Sequence, residues 1–157
     1  MINPLNIYKL SHLLHRKSFT VVAIFLRNLN FFLFKTYLPP SCQIGNGTLL
    51  GYKGMSVVIH SSSVIGENCV IAHGVTIGTA VPYSTNQQLI GPRIGNNTFI
   101  GAGAMILGNI EVGSNCTIAA GAIVLKSLSD NSIVVGVPAK IIGTNSNDYR
   151  AIRMTST

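Results

Sequence analysis

Few side chains in this sequence can do polar chemistry. There are four histidines, His12, His15, His60 and His73, and four acids, Glu67, Glu111, Asp130 and Asp148. An imidazole is the side chain best suited to accept a hydroxyl proton near neutral pH. His73 stands in "IGENCVIAHGVTIG" and His60 in "VVIHSSSVIG". A zinc-type site of the kind used by a hydratase wants three histidines. Only His60 and His73 fall in the patterned part of the chain, so no metal is expected unless His12 or His15 reaches across. A general-base histidine usually wants an orienting partner. Glu67 precedes His73 by six residues, which puts it on an adjacent face. Cys42, Cys69 and Cys116 show no CxxC pairing and read as buried thiols in a reducing cytosol.

The elements that must position these groups follow a period of six. Ile59, Ile65, Ile71 and Ile77 form one run; Ile94, Ile100, Ile106, Val112, Ile118 and Val124 form another. Ile44 and Leu50 open the series. A small or branched residue comes four positions later, as at Ser63, Cys69, Val75, Thr98, Ala104, Cys116 and Ala122. Six residues make one side of a triangular coil, so residues 18 apart stack: Ile94 on Val112, Ile100 on Ile118. One hexad buries nothing alone; the stack does. Glycine often follows the aliphatic, as at Gly45, Gly66, Gly78, Gly95, Gly101 and Gly113, where it is expected to relax the corner backbone. The register breaks between Leu50 and Ile59 and between Ile77 and Ile94. If one hexad bridges the second gap, about eleven residues loop out; with two, about five. That loop is expected over about residues 79–92, beginning shortly after His73.

Composition narrows the partners. The chain of 157 residues is 47% hydrophobic and 10% charged, with 16 Gly and no Trp. So little charge suggests surface buried against other copies of the chain. The net charge of +7 favours anionic partners, and no aromatic-and-basic pattern reads nucleic acid. Residues 1–40 differ from the rest. Ile7, Leu10 and Leu14 fall at helical spacing, as do Val22, Phe25 or Leu26, Leu29, and Phe32 or Leu33. Arg27 interrupts any spanning segment, and no small-residue cleavage site follows the apolar run. Two short helices over one end of the solenoid are expected. The alternative is a surface helix on an anionic leaflet, using Lys9, Arg16, Lys17, Arg27 and Lys35. The chain is therefore expected in the cytoplasm, with peripheral contact at the inner face of the membrane under that alternative.

"IGENCVIAHGVTIG", "IGNNTFIGAGAMILGNIEVGSNCTIAAGAIVLKSL" and "NSIVVGVPAKIIG" resemble the hexapeptide-repeat acetyltransferases. The resemblance is closest to the serine-acetyltransferase-like branch, which includes O-acetyltransferases of bacterial surface polysaccharides, and covers residues 41–143. It implies an all-β left-handed parallel β-helix, a hexapeptide solenoid with a short α-helical N-terminal segment. It also implies a homotrimer with active sites between subunits and acetyl-CoA as co-substrate along the coils. Residues 144–157 are left as a polar tail. The family's use of a histidine as general base implies catalysis by His73, with His60 second. For CoA, the resemblance points to Gly101, Ala102 and Gly103 of "GAGA", and to Ala120 and Gly121 of "AAGA". Lys126, Lys140 and Arg93 would meet its phosphates, and Pro138 of "GVPAK" would end the last coil.

The sequence also departs from true serine acetyltransferases. Their catalytic histidine aligns with Tyr52, its partner aspartate with Tyr37, and their second histidine with Gly91. The acceptor expected on these grounds is a sugar hydroxyl in surface-polysaccharide synthesis, capsule or exopolysaccharide, with L-serine as the alternative. A non-catalytic trimeric scaffold is the reading from another class, since fold alone does not give function.

Overall fold

The computed structural model describes residues 3–80 and 89–145. The chain opens with two helices, α1 (Pro4–Arg16) and α2 (Thr20–Phe34). The Asn3 side chain caps α1 by accepting Leu5 N–H at 2.9 Å, and Pro4 sits in its first turn, where no N–H is needed. Lys35, in the left-handed region at φ 55, ends α2.

The remainder is a solenoid of very short strands. Its first coil carries β1 (Gln43–Ile44), β2 (Leu49–Leu50) and β3 (Val58–Ile59); its second, β4 (Val64–Ile65), β5 (Val70–Ile71) and β6 (Thr76–Gly78). The third carries β7 (Arg93–Ile94), β8 (Phe99–Ile100) and β9 (Met105–Leu107); the fourth, β10 (Glu111–Val112), β11 (Thr117–Ile118) and β12 (Ile123–Val124). A hairpin of β13 (Ser132–Val135) and β14 (Lys140–Thr144) closes it. Each coil adds one strand to each of three parallel sheets. Their orders are β1-β4-β7-β10, β2-β5-β8-β11 continued by the hairpin, and β3-β6-β9-β12. We call the prism edges by the strands that flank them.

The six-residue period works as the physics requires. Leu50, Ile71, Ile100 and Ile118 are successive register partners, and Ile71, Ile100 and Ile118 are fully buried. The small residues Ser63, Cys69, Val75, Thr98, Ala104, Cys116 and Ala122 are buried beside the aliphatics. Burying one such aliphatic contributes about 1.5–3 kcal/mol, which a two-residue strand can obtain only from its neighbours above and below. The first register break is a three-residue insertion, a 3-10 turn over Gly51–Gly54 that makes Leu50 and Ile71 partners 21 residues apart. At the second break Ile65 pairs with Ile94 and Ile77 with Ile106, so a single hexad step is bridged and about eleven residues loop out. Residues 81–88 of that loop lie outside the described residues, as do residues 146–157 of the polar tail.

One expectation about glycine is corrected. Gly95, like Gly45, Gly66, Gly101 and Gly113, does not take up a left-handed corner. A Cβ on Gly95 would lie 2.6 Å from Ser114 N, and one on Gly101 would lie 2.5 Å from Ala120 N. These residues are small because the next coil's backbone passes too close for a side chain. The left-handed corners fall two positions later, on Asn68, Asn97 and Asn115 at one edge and on Gly74, Gly103 and Gly121 at another.

The helices form a hairpin over the first coil. Leu5 and Tyr8 join the core with Leu38, Cys42 and Val57, and the Tyr8 hydroxyl donates to the Cys42 carbonyl at 2.6 Å. The buried stripe is not the bulky one. Ala23 and Asn30 are the buried residues of α2, while Val22, Phe25, Phe32 and Leu33 are exposed. The reason is hydrogen bonding: Asn30 donates to the Pro4 carbonyl at 3.1 Å, and Ser11 to the Ala23 carbonyl at 2.8 Å. These bonds and the small Ala23 turn the polar side of α2 inward.

Two outcomes follow for stability. Gly95→Ala is expected to cost roughly 1–3 kcal/mol by urea unfolding, because the clash is with backbone. Gly78→Ala, whose added Cβ would meet nothing nearer than 3.8 Å, is expected to cost far less. Burial also pushes the Cys42 thiol from its ordinary 9.0 up to about 12. The folded chain then holds a proton that the unfolded chain releases above pH 9. Stability from this group is complete below pH 9 and is lost as pH rises towards 12. The melting temperature is expected to hold to pH 9 and then fall, with a smaller fall in Cys42→Ala.

Candidate active site

His73 stands on the edge between β5 and β6. Register places Tyr52 above it and Ala102 and Ala120 below it, one per coil. The left-handed glycine after each position ties the coils together. Gly74 N–H donates to Met55 O at 2.9 Å, Gly103 N–H to His73 O at 3.0 Å, and Gly121 N–H to Ala102 O at 2.8 Å. Ala120, Gly103 and Gly121 are exposed, Ala102 is half-buried and Gly101 is buried. The hairpin turn ends the same edge: Ile123 N–H donates to Gly136 O, and Ala139 N–H to Ile123 O. Pro138 and Lys140 lie in and just after that turn.

This edge differs from the one before it. At the edge preceding β5, β8 and β11, the outward N–H two positions after each aliphatic is capped by a side chain of the next coil. Glu67 N–H donates to Asn96 Oδ1 at 2.8 Å, Asn96 N–H to Ser114 Oγ at 3.1 Å, and Ser114 N–H to Asp130 Oδ1 at 2.7 Å. The equivalent residues on the His73 edge are His73, Ala102 and Ala120. Among the described residues their N–H groups donate to no protein acceptor. The alanines below have no side-chain atom that could cap them. The result is a row of backbone donors open to a ligand.

His73 is half-buried. Among the described residues its buried Nδ1 has no hydrogen-bond partner, and its ring makes a T-shaped contact with Tyr52, with centroids 5.1 Å apart and planes at 85°. Tyr52 itself is 78% exposed, and both it and Lys53 take left-handed backbone, at φ 49 and 55. Such a conformation costs a non-glycine residue about 1–2 kcal/mol, which the surrounding structure must offset. Among the described residues no acid is in contact with His73: Glu67 is exposed on the neighbouring edge, in a cleft with His15 and Arg16. Spacing alone gave no sign of the Tyr52 contact, because it depends on the three-residue insertion.

The other expected site residues sit elsewhere. His60 is on the edge between β3 and β4. Its Nδ1 lies 2.9 Å from the Ser62 hydroxyl, which in turn accepts Gly91 N–H at 2.7 Å. His60 therefore helps hold the returning leg of the loop. Lys126 is exposed on that same edge in the last coil. Arg93 lies on β7, in a shallow cleft with Glu111 and Asp130. Tyr37 accepts a hydrogen bond from Arg27 at 3.4 Å, with the guanidinium 5.3 Å from its ring centroid. Among the described residues no group of three or more His, Cys, Asp or Glu side chains is placed to hold a metal ion.

Three parallel sheets wound in hexads, with one donor-lined edge, define a hexapeptide-repeat transferase. The family model "Bacterial transferase hexapeptide (six repeats)" matches residues 91–126. The serine acetyltransferase of Helicobacter pylori (strain J99) is 38% identical over 141 residues, covering 90% of this chain and 80% of that protein. Chloroplastic serine acetyltransferase 1 of Arabidopsis thaliana is 39% identical over 140 residues, 89% of this chain and 43% of that protein. The serine acetyltransferase of Brucella abortus strain S19, solved in complex with coenzyme A, superposes with a TM-score of 0.83 at 37% identity. It covers 90% of this chain and 55% of that one. The chain thus spans about half the length of several relatives it matches. It belongs to the hexapeptide acetyltransferases, in the serine-acetyltransferase-like branch, and its solenoid is their left-handed parallel β-helix. That handedness is the family's exception to the usual right-handed crossover.

The open row of donors has a direct test in amide exchange. The Ala102 and Ala120 amides are expected to exchange fast in the free protein and to slow when CoA is added. The Gly103 and Gly121 amides, bonded between coils, should be slow in both states. Equal protection of all four without ligand would show that the row is not open.

Proposed function

We propose that the chain is an acetyl-CoA-dependent O-acetyltransferase, working as a homotrimer and transferring acetyl directly to an acceptor hydroxyl. The observation that carries this reading is the alignment of His73 with the uncapped N–H groups of Ala102 and Ala120 on one edge. The pantetheine arm of acetyl-CoA offers amide carbonyls to such donors, and the small side chains let it approach the backbone. The relatives named as serine acetyltransferases, one of them solved with coenzyme A, support the same class. Pro138 and Lys140 lie where the arm would leave the edge, and the Lys140 amine suits a phosphate. Arg93 and Lys126 could reach the same ligand only from a neighbouring subunit.

In this mechanism the neutral His73 imidazole accepts the acceptor's hydroxyl proton as its oxygen attacks the thioester carbonyl. Backbone N–H groups stabilise the oxyanion of the tetrahedral intermediate. Collapse breaks the C–S bond, and the imidazolium returns its proton to the departing CoA sulfur. Ester and free CoA are the products, and no acetyl resides on the protein. Tyr52, in T-shaped contact, holds the imidazole plane, with no acid against the ring among the described residues.

For the acceptor, the relatives favour L-serine over the saccharide expected from the sequence. One feature favours the saccharide as a second reading: an exposed tyrosine, Tyr52, stands over the base. An aromatic face suits a sugar ring better than a small zwitterion. Transfer by wild type and His73→Ala, with L-serine and with nucleotide sugars or oligosaccharides, decides both points. His73→Ala is expected to retain CoA binding and lose roughly 10²–10⁴-fold in transfer. Unchanged transfer removes His73 from the mechanism. A wild type that binds no CoA leaves the scaffold reading. The acceptor that turns over identifies the substrate class.

A further inference from the structure

We propose that the outward face of the α1–α2 hairpin docks on an anionic membrane surface. The face is inside-out for a helix that packs on a core. The buried positions of α2 are Ala23 and Asn30, while Val21 is 82% exposed, Phe25 64% and Phe32 73%. Leu10 and Leu13 of α1 add further exposed apolar surface, each about half exposed. The inward bonds of Ser11 and Asn30 lock this orientation, so the helix cannot roll its phenylalanines under.

Charge decides what covers the face. The chain has no acid before Glu67; in the hairpin and its caps Lys9, Lys17 and Lys35 are exposed, while Arg27 lies over the Tyr37 ring and Arg16 lines the cleft with Glu67. The Lys35 amine sits 5.5 Å from the Phe32 ring centroid and 5.9 Å from that of Phe31, beside the apolar surface itself. A second copy docked face to face would bring two such acid-free basic sets together. Acidic headgroups over an acyl boundary satisfy both the cations and the phenylalanines. The helix lies in the interface rather than crossing it. At 15 residues α2 is about 22 Å long, short of the roughly 30 Å hydrocarbon core, and no described helix is long and apolar enough to span.

The test uses the full chain with sedimented vesicles, without acetyl-CoA or acceptor, so it stands or falls apart from the proposed reaction. Binding to vesicles of phosphatidylcholine with phosphatidylglycerol is expected to exceed binding to phosphatidylcholine alone by at least about tenfold, and to weaken in high salt. The double substitution Phe25→Ser with Phe32→Ser is expected to reduce that binding by about tenfold or more, with circular dichroism and melting temperature unchanged. Binding to neither vesicle, or equally to both, overturns the proposal. So does a drop in solution mass of the double variant in the absence of any vesicle binding, which would assign the face to a second copy.

Discussion

The whole solenoid depends on how closely one coil's corner passes the next. Neighbouring strands in a ladder lie about 4.8 Å apart, and at Gly45, Gly66, Gly95, Gly101 and Gly113 that leaves no room for a Cβ. Gly101 meets Ala120 backbone and Gly113 meets Asp130 backbone in this way. The close approach fixes the register, and the register fixes everything that projects. On the two edges flanking β5, β8 and β11 the residue two positions after the aliphatic presents its N–H outward and the next residue holds a left-handed corner. The backbone of those two edges is therefore alike, and what each does is set by the few side chains placed there.

The three edges use that freedom differently. One is sealed by its own side chains, as Asn96, Ser114 and Asp130 each cap the N–H of the coil before. A second carries the long loop, whose returning leg is pinned through Ser62 and His60. The third has alanine and glycine where the first has capping groups, and it carries the buried, unpaired Nδ1 of His73. His73 thus shares its edge with backbone donors that, among the described residues, no side chain of the next coil caps, where an unsatisfied donor is exposed to ligand rather than buried at a cost.

Much of this was legible in the sequence because a period of six has few structural solutions. The aliphatic runs gave the sheets, and the spacing of 18 gave the stacking of Ile94 on Val112. The role of the glycines was not legible. A glycine after an aliphatic is equally consistent with a left-handed corner and with a close approach, and only the coordinates show that Asn68, Asn97 and Asn115 hold the corners instead. The packed side of α2 was hidden for a related reason. Hydrophobic periodicity assumes that bulk goes inward, and Asn30 and Ser11 reverse it through two hydrogen bonds. Within the site, His73 was visible as a histidine on the repeat. The separation of Arg93 and Lys126 from it was not, since charge in a sequence carries no edge.

Tyr52 shows how the parts depend on one another. By the resemblance to serine acetyltransferases its position belongs to a histidine, which suggests a lost function. In the structure the same position is the top of the His73 ladder, reached because three inserted residues lengthen the first coil. Tyr52 and Lys53 take left-handed backbone to make that turn, and the Met55 carbonyl ties its far end to Gly74. The strained insertion and the histidine one coil below are therefore one unit. A carboxylate would fix an imidazole through Nδ1. Here Nδ1 has no partner, and a ring edge fixes the plane instead. On the mechanism we propose, the donors of Ala102 and Ala120, rather than a charge relay, are the chief means by which this edge favours the transition state.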